Sequence, residues 1–135
     1  MKRLVYNIVK LLNEGGQPMK GSNMNDAQAM EFCLSRQGLN ESFCLLRDWI
    51  WFDLLVSERQ RVDFSRQGKT PAVIFSPTVI FDSKGSWDFN NTIRTSLLYE
   101  FESGFLFRTS DATYVLLGKG TRAPARPELL DITFF

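Results

Sequence analysis

Asp48 and Asp53 lie within one apolar run and are the carboxylate pair best placed for acid–base chemistry. Five positions apart on a strand, they point to opposite faces and cannot cooperate on one substrate. Asp48 falls on the face of Leu46, Ile50, Phe52 and Leu54, where an Arg or a backbone donor should pair with it. The opposite face carries Arg47, Trp49, Trp51 and Asp53. Two Trp framed by opposite charges suit a protein-binding hot spot, because Trp and Arg supply much of the energy at such surfaces. The same pattern also fits a strand buried on both sides, with a helix covering the rings.

Other chemistries fail on residue type or spacing. Histidine is absent, which removes imidazole acid–base catalysis, Ser–His and Cys–His nucleophile pairs, and most transition-metal sites. No catalytic residue, metal site or cofactor is therefore expected. Gly68-Lys69-Thr70 has the tail of a phosphate-binding loop, but Asp63 stands where that motif needs glycine. Asp82 and Asp88 bracket a turn, but Lys84 puts a cation where a calcium loop needs an oxygen ligand. Cys33 and Cys44 form no CxxC motif and are expected to be buried, reduced structural thiols of a cytoplasmic protein. Lys119, Arg122 and Arg126 form the one local basic cluster, on a Gly/Pro/Arg stretch read as a loop over 118–128. They suit a phosphate or an acidic protein, or a solvated loop. The net charge of +1 argues against nucleic acid as the main partner.

The positioning elements follow from periodicity and caps. Leu4, Val5, Ile8, Leu11 and Leu12 recur with helical spacing until Gly15-Gly16. Glu14-Gly15-Gly16 can be encoded as a ribosome-binding-like stretch before Met19, so residues 1–18 read as an N-terminal extension to a core of about 24–135. Asn25 with Gln28, and Ser57 with Gln60, form capping boxes that open two further helices. Ser-Arg-Gln-Gly closes both, with Gly38 and Gly68 as the left-handed residues. Between these helices, Cys44 to Val56 reads as one long strand. Ala72 to Asp82 is a strand that Pro77 marks as an edge or a bulge. Ile93 to Phe101, Phe105 to Thr109 and Thr113 to Leu117 form an antiparallel meander, and Leu129 to Phe135 supplies a last strand. The sum is a single α+β domain, N-terminal helices on a mostly antiparallel sheet of five to six strands. No apolar run approaches the ~18–20 residues of a membrane span.

Arg47-Asp48-Trp49-Ile50-Trp51, Val79-Ile80-Phe81-Asp82-Ser83, Arg94-Thr95-Ser96, Gly104-Phe105-Leu106-Phe107 and Tyr114-Val115-Leu116-Leu117-Gly118 resemble a small bacterial and prophage family with no assigned function, over about residues 24–122. The resemblance implies no catalytic residues, and it favours an accessory-genome inhibitor or immunity-type protein that binds another protein. The competing class is a nucleic-acid-binding regulator using Lys119, Arg122 and Arg126. An enzyme working with carboxylates alone is a third.

Overall fold

The computed structural model describes residues 2–36, 42–84 and 92–134. Its helices are α1 (Lys2–Gly15), α2 (Asp26–Ser35) and α3 (Glu58–Arg66). Both capping boxes form: the side chain of Asn25 accepts from the Gln28 N–H and that of Ser57 from the Gln60 N–H, while each Gln reaches back to its cap. Gly68 ends α3 with a positive φ, and the N–H groups of Gly68 and Lys69 close on Ser65 and Phe64. The corresponding Gly38 lies outside the described residues.

The strands are β1 (Gln17–Lys20), β2 (Phe43–Arg47), β3 (Ile50–Leu54), β4 (Ala72–Ser76), β5 (Thr78–Asp82), β6 (Ile93–Arg94), β7 (Glu100–Glu102), β8 (Leu106–Arg108), β9 (Thr113–Leu116) and β10 (Lys119–Ala125). They form two five-stranded sheets rather than one: sheet I in the order β1-β10-β3-β4-β6 and sheet II in the order β5-β2-β9-β8-β7. Pairing is mostly antiparallel, with parallel contacts at β3–β10 and β2–β9.

The expected long strand from Cys44 to Val56 breaks in two. Asp48 takes a left-handed conformation, φ 54°, which a short polar side chain tolerates better than most. β2 thus lies in sheet II and β3 in sheet I. Pro77 makes the same transfer between β4 and β5, and β5, which follows it, is the edge strand of sheet II, as the proline implied. Gly118, φ 69°, makes the transfer between β9 and β10. Neighbours are kept across all three corners, so β5-β2-β9 continues as β4-β3-β10. One three-stranded ribbon is folded over on itself. The Ser76 hydroxyl ties two corners together, donating to the Arg47 carbonyl at 2.7 Å and accepting from the Thr78 N–H at 3.1 Å.

Two further expectations change. Residues 118–128 are mostly strand: β10 lies between β1 and β3, because tertiary pairing overrides its Gly/Pro composition. Residues 129–134 form no strand. Pro127–Leu130 forms a 3₁₀ turn, with Pro at its start, and Leu130, Ile132 and Phe134 pack on sheet I from there. The meander survives as β7-β8-β9, while Ile93 and Arg94 join sheet I.

Three apolar clusters make four layers. One, between the sheets, includes Leu46, Trp49, Trp51, Ile74, Phe107 and Leu116. A second joins Ala29 and Cys33 of α2 to Phe43, Leu45 and Val115 of sheet II. The third places Leu4, Ile8, Leu11 and Leu12 of α1 on Phe52, Leu54, Val73 and Phe75 of sheet I. Residues 1–18 therefore cover an apolar sheet face. A chain starting at Met19 should lose several kcal/mol, about the cost of stripping a few packed Leu and Ile side chains, and melt roughly 10 °C or more lower. Melting within a few degrees of the full chain would mean that α1 adds little to stability.

Candidate functional site

The four residues expected on one strand face are divided by the corner. Trp49 and Trp51 are 1% and 4% exposed, so neither ring offers a contact surface. Their cover is the second sheet, not a helix. Trp49 fills the inside of the fold-over: its indole N–H donates to the Leu117 carbonyl at 3.0 Å, and its ring lies flush against Gly120. A Cβ built on Gly120 would stand 2.3 Å from the ring. Arg47 reaches instead to Asp26 at the start of α2, at 2.9 Å. Asp48 does not share the core face of Phe52 and Leu54, because the corner reverses the alternation; it is exposed and accepts from the Thr78 hydroxyl at 2.8 Å.

Trp51 and Asp53 meet a residue from the other expected site. Arg122 grips the Asp53 carboxylate with two bonds, Nε to Oδ2 at 2.8 Å and Nη2 to Oδ1 at 2.9 Å. Its guanidinium lies 4.6 Å over the Trp51 ring, while the Trp51 N–H donates to Asp53 at 3.1 Å. Asp53 holds Arg122 more firmly protonated than usual. A paired, stacked guanidinium is poorly placed for phosphate. Lys119 and Arg126 remain exposed at opposite ends of β10, so the three cations form no common patch.

Cys33 and Cys44 are both buried and free, and they belong to different apolar clusters. Cys44 lines a cavity of about 240 Å³ with Tyr114, Asp82, Asp111, Lys84 and Arg94. Burial, aided by Asp82, pushes the thiol up to about 12. Burial, then Cys44 and the two carboxylates, pushes the Tyr114 phenol to about 12 as well. Both groups stay protonated at neutral pH, as weak donors and not nucleophiles. Among the described residues, no group of three or more His, Cys, Asp or Glu is arranged to hold a metal.

A surface not singled out in the sequence lies on α1. Val5, Tyr6 and Val9 are 58%, 66% and 51% exposed, although Val5 belonged to the apolar set expected to face inward. Val5 and Val9 border a groove of about 210 Å³, floored by Ile50, Phe75 and Pro77 at the corner. The signal was present: α1 has more apolar positions than one buried stripe can hold.

These features define a small α+β protein in which a folded-over ribbon is flanked by helices. The chain belongs to the family described as Domain of unknown function (DUF6957), whose model matches residues 20–130, from the end of β1 through the 3₁₀ turn. No curated protein and no solved structure matches it. No helix among the described residues is long and apolar enough to cross a membrane.

The raised thiol and phenol set an alkaline limit. Ordinary values are 9.0 and 10.0, so above pH 9 the unfolded chain releases protons that the folded chain keeps. Stability is then complete below about pH 9 and falls toward pH 12. Melting temperature against pH should show this fall, and Cys44→Ala should flatten its first part. An unchanged slope in that variant would exclude the thiol as a source.

Proposed function

We propose that the protein is a non-enzymatic, cytoplasmic protein-binding module that contacts its partner through the exposed side of α1. Its most concrete form is an accessory-genome or prophage inhibitor or immunity-type protein that acts by covering a surface of its target. The observation that carries this reading is the run of Val5, Tyr6 and Val9, each more than half exposed, of which Val5 and Val9 border an apolar groove. Exposed large apolar side chains grouped beside a groove mark interaction sites in soluble proteins.

The charge around this face indicates the partner's character. Lys2, Arg3 and Lys10 are the cations of α1, and Glu14 is its one acid. Arg3 and Lys10 are exposed, beyond Tyr6 on the helix surface. An apolar segment with acidic flanks complements both features. A non-enzymatic role is supported by the lack of histidine and by a Cys44 thiol that stays protonated. It is also supported by the separation of Asp48 and Asp53, one at the corner and the other held by Arg122.

The double substitution Val5→Asp with Val9→Asp tests the surface without touching the buried stripe. Quantitative affinity purification from native lysate should recover a stoichiometric protein with the wild type and lose at least about tenfold of it with the variant, at similar melting temperature. Arg3→Glu with Lys10→Glu should weaken the same capture and reduce its salt dependence. Equal recovery by wild type and the Val5/Val9 variant would remove α1 as the contact surface.

A further inference from the structure

We infer that the cleft beside β6 is a binding site for a small organic anion, its carboxylate or phosphate held by Lys69 and Arg94 and its apolar body against Leu97, Ile132 and Phe134. The cleft, about 270 Å³, lies on the sheet I side of the edge strand, between the end of α3 and the C-terminal segment. It is close to the lower end of the range for small-molecule sites.

Four residues that line this space carry side-chain donors: Lys69, Arg94, Ser110 and Thr133. Among the described residues neither cation makes an ion pair, and neither hydroxyl makes a hydrogen bond. No Asp or Glu side chain among the described residues lines the cleft. Asp82 and Asp111 line the adjoining cavity that shares Arg94, and Asp111 accepts a hydrogen bond from the Ser96 hydroxyl. Elsewhere in the fold Arg47 is paired with Asp26 and Arg122 with Asp53. Lys69 and Arg94 thus leave a local positive excess, with donors that a single anionic group can share.

The walls are built rather than loose. Arg94 is fixed in register opposite Phe75 on β4. Lys69 is anchored by its own N–H, which closes on the Phe64 carbonyl at 2.8 Å and caps the end of α3. Phe134 is held edge-on against the Phe64 ring at 4.9 Å, which keeps the apolar wall upright. Charge at one end and apolar surface at the other select an anion with an apolar body over a bare ion. The cleft lies within the residues that the family model matches, apart from Ile132, Thr133 and Phe134, and it is separate from the α1 face.

Isothermal titration calorimetry with phenyl phosphate and benzoate as probes tests the site, with inorganic phosphate and benzyl alcohol as controls. At least one aromatic anion should bind saturably at one per chain, roughly tenfold tighter than inorganic phosphate, and benzyl alcohol should not bind. Lys69→Ala with Arg94→Ala should weaken that binding about tenfold or more at unchanged melting temperature. Arg94→Lys should retain part of it. The assignment is overturned if neither aromatic anion saturates below about 10 mM, if inorganic phosphate binds equally well, or if the double Ala variant binds like the wild type. None of these outcomes depends on whether α1 binds a protein.

Discussion

The packing of Trp49 against Gly120 sets the geometry of the whole molecule. A three-stranded ribbon can fold over on itself only if the inside of the bend is filled, and the indole fills it while its N–H satisfies the Leu117 carbonyl. Gly120 has to be glycine because any Cβ would occupy the ring's place. With the bend in place, both outer faces become sheet surfaces that need cover, and α1 and α2 provide it. An indole of this size, fully buried, is worth about 3–5 kcal/mol against Ala. That is a large share of the stability of an ordinary domain.

The charged residues brace this arrangement from outside. Arg47 ties the first corner to the start of α2 through Asp26, where a carboxylate also suits the helix N-terminus. Arg122 ties β10 to β3 through Asp53 and lies over Trp51, which itself meets Phe101 and Phe107 edge-on. Exposed ion pairs add little alone, but a two-pronged contact stacked on an aromatic ring is geometrically demanding. Charges flanking the two Trp thus serve the fold's own edges.

Local features were legible because their causes are local. Both capping boxes, the end of α3 and the apolar side of α2 follow from residues within a turn or two. The corners were not. An apolar run through Asp48 is locally consistent with a straight strand, and only contacts with Thr78, Leu117 and Gly120 favour the left-handed turn there. Pro77 did signal a break, but its residue type cannot say whether the chain bulges or changes sheet. The same limit applies to the candidate sites. Arg122 looked available because its partner Asp53 is 69 positions away in the chain. Lys69 and Arg94 looked unremarkable because the cleft between them exists only once α3, β6 and the chain end have converged.

The place of β10 in sheet I has a kinetic meaning. It pairs parallel with β3, setting Thr121 beside Ile50, and among the described residues it is the one strand that β1 pairs with. During synthesis, the segment from β2 through β5 can form its antiparallel contacts early, since its pairing residues are close in sequence. Sheet I, however, has a gap in its middle until the strand starting at Lys119 has left the ribosome. Until then β1 has no strand to join, and one edge of β3 is open to pairing with other chains. Completing sheet I thus requires the insertion of a strand between two waiting ones, and the nascent chain keeps an open edge until that strand is available.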